Sequence, residues 1–227
     1  MAGKICAGQG NSMTNNAMDN IRNIVFDFGG VLIDWNPRYL YRTYFNDDKK
    51  MEYFLSNICT SEWNTEQDRG RPFDEGVRLL EERFPEYAEE IRMYRDRWGD
   101  MLGGEFPETV SLLMKLKGLG YGIYGLTNWS AETFPIAYSR YPVLHQFDGT
   151  VVSGQERLIK PDPMIFNVLL KRYGLDAGEC IFIDDSKANI EAAGRLGFNT
   201  VLFDNIGNVT RQISALTGEC GLYLSRL

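Results

Sequence analysis

The chain has 227 residues, 44% hydrophobic and 24% charged, enough for one sizeable core or a core domain with a smaller insert. Its formal net charge of -7 argues against nucleic acid or an anionic membrane as a main partner, since both reward a basic face. Its four cysteines, Cys6, Cys59, Cys180 and Cys220, show no CxxC or zinc-ligand spacing and read as reduced thiols, not as a disulfide framework.

Residues 1–20 are polar and lack the apolar stretch of a secretory signal; they read as a disordered N-terminal extension. Met18, just before the first strand pattern, is a candidate biological start. No apolar run approaches the length of a membrane span, so the expected compartment is the cytoplasm. The first strand is expected at Asn23–Phe28, inside "IVFDFGGVLIDW", where an apolar run ends in Asp27 and is followed by Gly29 and Gly30.

From Trp35 to about Glu105 no convincing strand appears. "RYLYRTYF", "MEYFLSNIC", "FDEGVRLLEERF" and "YAEEIRMYRDRW" all carry helical spacing with charged outer faces. This predicts a small helical cap domain over 35–105, inserted after the first strand. Beyond it, strands are expected at Tyr121–Asn128, Thr150–Ser153, Cys180–Asp184 and Thr200–Phe203. Helices are expected near Glu108–Lys117, Ala131–Arg140, Pro163–Tyr173, Lys187–Leu196 and Val209–Leu216. Gly118, Gly174 and Gly197 fall where helix ends favour a residue tolerant of positive φ. Such alternation predicts an α/β core over 21–34 and 106–227, a doubly wound parallel sheet with helices on both faces.

In open α/β sheets, ligands bind at the carboxyl ends of the strands. The predicted strands end in Asp27, in Thr127 and Asn128, and in Asp184 and Asp185, with Lys160 in the loop after the third. Each alone has an ordinary reading as a turn, cap or solvated loop residue. Together they place three carboxylates, an ammonium and two small polar donors at one sheet edge. Gathered carboxylates repel, and a hard divalent cation such as Mg²⁺ relieves the repulsion while binding phosphate. That set suits phosphoryl transfer, in which catalysis is mostly positioning and charge stabilisation. Gly29 and Gly30 would let backbone amides approach phosphate oxygens.

"DFGGVL", "LTN", "KPDP" and "IDDSKANIEAA" resemble, in chain order, the four motifs of the haloacid dehalogenase-like hydrolase superfamily. The resemblance runs from Ile24 to the C-terminus, and the helical insert is similar to the cap of its helical-cap subclass. Within that subclass, the first motif, "DRGRPFDEG" and "ERLIKPDPMIF" are similar to the bacterial phosphatases of α-D-glucose 1-phosphate. The resemblance implies a Rossmann-like core and a Mg²⁺-dependent phosphatase of a small phosphorylated metabolite, a monomer or homodimer. It implies Asp27 as nucleophile and metal ligand, with the Gly29 carbonyl and Asp185 as further ligands and Asp184 acting through a water. Thr127 and Asn128 would bind phosphate, and Lys160 would neutralise the charge of nucleophile and phosphate.

One position departs from the superfamily pattern. Most of its phosphatases carry a second Asp two residues after the nucleophile, to protonate the leaving group and then activate water. Here that position is Gly29, and general acid–base help is typically worth ~100 to 10,000-fold. Three readings follow: a phosphatase that manages without it, a 2-haloacid dehalogenase-like hydrolase, and a binding protein that has lost turnover. Asp184 and Asp185 oppose the second, since they would repel a carboxylate substrate in the absence of a metal. No nucleophile elbow, P-loop or dinucleotide fingerprint is present, and the single histidine, His145, reads as a packing residue.

Trp35 is expected to line the entrance. "TSEWNTEQDRG", Thr60 to Gly70, lies between helical patterns and reads either as helix packing or as a specificity loop meeting the leaving group. Trp129 reads either as the closing wall of the pocket or as core packing.

Overall fold

The structure is a computed structural model that describes residues 20–219 and residue 222. The expected N-terminal extension, Met18, Cys6 and Cys220 lie outside the described residues. Five parallel strands form the central sheet in the order β5-β4-β1-β6-β7, where β1 is Asn23–Phe26, β4 Gly122–Thr127, β5 Gly149–Val152, β6 Cys180–Asp184 and β7 Asn199–Leu202. Each apolar run is nearly continuous because both faces are covered. Alternate residues enter two separate cores: Ile24, Phe26, Ile123, Ile181 and Ile183 pack on one face, Val25, Leu126 and Phe182 on the other. The chain steps from β1 outward through β4 and β5, then back across β1 to β6 and β7. Strands on both sides of β1 therefore deliver their carboxyl ends to one crevice.

The core helices are α6 (Pro107–Gly118), α7 (Phe134–Arg140), α8 (Ser153–Glu156), α9 (Pro163–Tyr173), α10 (Lys187–Arg195) and α11 (Ile206–Thr217). Helix α9 ends at Gly174 as expected, and its start is fixed by a cap. The Asp162 side chain accepts the Met164 amide at 2.9 Å, proline holds the first turn, and Gly174 ends the helix at φ 65°.

Between β1 and α6 the chain forms β2 (Ile33–Trp35), the helices α1 (Pro37–Tyr41), α2 (Asp48–Asn57), α3 (Ser61–Asp68), α4 (Phe73–Arg83) and α5 (Ala88–Asp96), then β3 (Leu102–Glu105). Strands β2 and β3 pair antiparallel with an irregularity at Asp34/Trp35. This two-stranded ribbon corrects the expectation of no strand between Trp35 and Glu105. It was hidden because the strands are short and one contains Gly103 and Gly104. A second correction concerns Thr60–Gly70, read as a segment between helices. It is α3, with the Thr60 hydroxyl accepting the Trp63 amide at 3.1 Å at its start and Gly70 just past its end at φ 102°. Tyr41, Phe54, Trp63, Phe73 and Tyr94 pack ring against ring among the helices. They belong to the same apolar cluster as one face of the sheet. Polar ties that join this segment to the core include the Phe73 amide donating to Glu132 at 2.9 Å, the Ser153 hydroxyl donating to the Asp68 carbonyl at 2.5 Å and the Arg140 guanidinium donating to the Gly99 carbonyl at 2.5 Å.

Candidate active site

A cavity of about 310 Å³ opens at the carboxyl ends of the central strands. Asp27, Gly29, Gly30, Asn128, Trp129 and Asp185 line it from the core, Trp35 from the ribbon, and Asn64, Asp68 and Trp98 from the helical segment between β2 and β3. Thr127, Lys160 and Asp184 are not among the lining residues and are buried, with 0%, 3% and 0% exposure.

Asp27 follows β1 directly, and its amide is held by the Ile183 carbonyl of β6 at 2.9 Å. Its Oδ1 accepts the Phe28 amide at 2.7 Å and faces the Lys160 Nζ at 3.0 Å. That leaves Oδ2 without a hydrogen-bond donor among the described residues, as a nucleophile requires. Lys160 is fully committed. Its ammonium donates to the Leu126 carbonyl at 2.8 Å and to Asp184 Oδ2 at 2.6 Å, besides facing Asp27. Asp184 is committed as well: Oδ1 accepts the Ser186 amide at 2.8 Å and Asn189 Nδ2 at 3.0 Å. The Lys160 backbone is clasped from both sides by Asn128, which accepts its amide at 2.9 Å and donates to its carbonyl at 3.0 Å. The side-chain oxygen of Asn128 is thus spent on positioning. The Thr127 hydroxyl, by contrast, is buried with no partner among the described residues.

The electrostatics show what this arrangement lacks. Asp27, Asp184 and Asp185 each offer an oxygen, all within 4.8 Å of one another. One lysine balances three carboxylates. Burial pushes Asp27 up to about 7; Lys160 opposes this, and Asp184 and Asp185 add to it. Burial, then the charge of Asp184, also raises Asp185 above the usual carboxylate range. Burial works against the Lys160 ammonium, but Asp27 and Asp184 outweigh it and hold its pKa above the ordinary value. A site in which burial and mutual repulsion work against ionised carboxylates, for want of positive charge, is a site that a divalent cation fits.

The two glycines beside Asp27 differ. Gly30 has φ 73°, and a side chain there would land on the Asp185 carboxylate, so glycine is required for that residue to reach the site. Gly29 has no such constraint, and a Cβ there would meet nothing within 4 Å. The absence of a side chain at Gly29 is not imposed by packing.

Helix α3 presents two faces. Trp63 and Gln67 turn inward: the indole donates to the Gly76 carbonyl at 3.1 Å and stands edge-on to Tyr94. Asn64 and Asp68, also four residues apart, line the cavity, and the Asn64 amide donates to Asp68 Oδ2 at 3.0 Å. Burial raises Asp68 to about 7, with the Ser130 backbone amide pulling the other way. Sequence reasoning missed Asp68 and Trp98. The i, i+4 spacing of Asn64 and Asp68 was the available signal. The wall is completed by Trp35 and Trp98, stacked at 6.4 Å, and by Trp129, 5.5 Å from Trp98. His145 lies elsewhere, exposed against Tyr138 and bonded to its carbonyl.

The model of the haloacid dehalogenase-like hydrolases matches residues 21–197. The chain belongs to the haloacid dehalogenase-like hydrolases. It is 31% identical over 175 residues to the sesquiterpene phosphatase astK of Aspergillus oryzae, a match that spans 76% of this chain and 85% of that protein. It is 27% identical over 218 residues to the D-ribitol-5-phosphate phosphatase of Bacteroides thetaiotaomicron, spanning 86% of this chain and 98% of that protein. Other curated relatives are much longer, and this chain spans 11% and 39% of two of them. Among solved structures, the hydrolase fold matches the HAD family enzyme bt-2542 of Bacteroides thetaiotaomicron, in its wild-type complex with magnesium and inorganic phosphate. There the TM-score is 0.60 and the identity 25%, covering 80% of this chain and 93% of that one. No helix among the described residues is long and apolar enough to cross a membrane.

Proposed function

We propose that this hydrolase is a Mg²⁺-dependent phosphatase of a small phosphorylated metabolite, acting through an aspartyl-phosphate on Asp27. The observation that carries the reading is the buried cluster at the strand ends, in which one oxygen of Asp27 is pinned by Phe28 and Lys160 and the other is unclaimed. Asp27 Oδ2 attacks phosphorus, the bond to the leaving oxygen breaks, and water then hydrolyses the acyl phosphate to return the carboxylate. Lys160 favours the ionised form of Asp27 against the effect of burial and offsets the charge of the incoming phosphate. The Thr127 hydroxyl and the Gly29 amide supply donors for phosphate oxygens, whereas the Gly30 amide is spent on the Ile33 carbonyl at 3.0 Å. Asp27, Asp185 and the Gly29 carbonyl would hold the ion, with Asp184 behind them, and the ion would supply the positive charge this acidic cluster lacks.

The aromatic wall of Trp35, Trp98 and Trp129 faces the remainder of the substrate. Indole faces suit either the C–H face of a sugar or polyol or an apolar chain. The relatives named for ribitol 5-phosphate and for a sesquiterpene substrate span the same range. The dehalogenase reading is disfavoured by charge: with three carboxylates and one lysine, the site repels a further carboxylate.

The test is phosphate release from a panel containing glucose 1-phosphate, ribitol 5-phosphate, a prenyl phosphate, acetyl phosphate and p-nitrophenyl phosphate. It is run with Mg²⁺, with EDTA, and with Asp27→Asn. Release that needs the metal and is lost in the variant is the expected result. No release from any member, together with halide release from a 2-haloacid, would overturn the proposal.

A further inference from the structure

The phosphatase reading leaves one chemical gap, which is the proton for the leaving oxygen, because residue 29 has no side chain. We propose that Asp68 supplies it, from the helical segment that lines the same cavity. This rests on the phosphatase reading and extends it to a second catalytic carboxyl group.

The placement of Asp68 is costly for a purely structural residue. It is the last residue of α3, where the helix dipole disfavours a negative charge. It has no ion pair among the described residues, although Arg69 and Arg71 lie close in sequence; Arg69 pairs with Glu66, and Arg71 donates to Gln67 and to the Trp63 carbonyl. It lines the cavity that Asp27 and Asp185 also line, so one bound substrate can meet both nucleophile and acid. It is also held in place. The Ser153 hydroxyl grips its carbonyl at 2.5 Å and receives the Trp129 amide at 2.8 Å, fixing the end of α3 to the loop that follows β4. Asn64 donates to Oδ2 at 3.0 Å and so orients the carboxyl group.

Burial raises the carboxyl to about 7, so a large share of it carries its proton near neutrality. The titratable group facing it from the other helices is Tyr94, itself buried and held neutral; Asp27 and Asp185 share the cavity, and the Ser130 amide and the Asn64 amide group are the donors that favour the anion. A carboxyl that titrates near pH 7 is what leaving-group protonation and then water activation need. As the phosphorus–oxygen bond breaks, the Asp68 proton passes to the departing oxygen and the product leaves as a neutral alcohol. The Asp68 carboxylate then accepts the proton of the water that hydrolyses the aspartyl-phosphate, and the cycle closes with ester plus water giving alcohol plus phosphate. The open space at Gly29 belongs to the same account, since an acid on the helical segment removes the need for one there.

The experiment measures kcat/KM, which ends with departure of the leaving group, for p-nitrophenyl, phenyl and benzyl phosphates with Mg²⁺. The enzymes are wild type and Asp68→Asn, with thermal melting confirming that the variant is folded. The loss in Asp68→Asn is expected to grow with leaving-group basicity, to about 100-fold or more for benzyl phosphate and to less than about tenfold for p-nitrophenyl phosphate. Wild-type kcat/KM for benzyl phosphate is also expected to fall above about pH 7, a limb that p-nitrophenyl phosphate lacks. Equal losses on all three esters, or a benzyl phosphate profile without that limb, would overturn the assignment of Asp68 while leaving the phosphatase intact. Wild-type protein that hydrolyses none of them would remove the phosphatase reading itself.

Discussion

The two walls of the cavity are built differently. On the core side, Lys160 and Asp184 spend their hydrogen-bonding capacity on each other, on Asn189 and on neighbouring backbone, so Asp27 sits on a firmly bonded support, beside which the Thr127 hydroxyl and the Trp129 indole N–H lack a partner among the described residues. On the facing side, the Asn64 carbonyl oxygen and the Trp35 indole N–H have no partner among the described residues, and Asp68 has no cation. The contrast separates two tasks. Lys160 and Asp184, which hold Asp27 in place, have their hydrogen bonds completed within the protein, and polar groups of the cavity wall are left for a ligand to complete.

The largest effect expected of any substitution is on the core side. Asp27→Asn should lower phosphate release by on the order of 10⁴-fold or more, with little change in melting temperature, as read by phosphate assay and calorimetry. Lys160→Ala tests whether the support is as tightly coupled as its bonds indicate. It strands Asp27 and Asp184 in a buried site and should cost about 3–5 kcal/mol in denaturant unfolding as well as abolishing turnover. A fully stable Lys160→Ala would contradict the comparison.

Glycines sharpen it further. Gly30→Ala places a methyl against the Asp185 carboxylate in a left-handed backbone and should destabilise by about 1–2 kcal/mol or more. Gly29→Ala meets nothing and should stay within about 0.5 kcal/mol of wild type.

On the facing wall the stability effect has the opposite sign. Asp68 is raised from 3.8 to about 7, so between those values the folded protein binds more protons than the unfolded chain, and its stability falls as pH rises. Asp68→Asn lacks that loss. It should melt higher than wild type at pH 8, and the gap should close toward pH 4. The smallest effect is expected from Trp98→Phe, which keeps an aromatic wall. It should raise KM by roughly fivefold with kcat nearly unchanged, for any substrate whose leaving group meets that wall.

The core was legible because its signals are local. Asp27 and Asp184 each end a continuous apolar run, and Gly174 marks a helix end with chemistry that works at short range. The facing wall was not legible for a matching reason. Helix α3 carries Trp63 as its one large apolar residue, so no apolar stripe announced it, and Asp68 reads in the sequence as one more acid in a polar stretch. Trp35 was expected at the entrance and lines the cavity, whereas Trp98 owes its place to the β2–β3 ribbon, whose pairing over some seventy residues of chain no local pattern reveals.

The most direct test of the central claim is to trap the covalent intermediate. Wild-type protein with Mg²⁺ would be mixed rapidly with phosphorus-labelled acetyl phosphate, quenched in acid and digested for mass spectrometry. The account predicts one phosphoryl group per chain, located on Asp27, chased away by water and absent from Asp27→Asn. Phosphate release with no labelled protein, or a label that persists in Asp27→Asn, would contradict it.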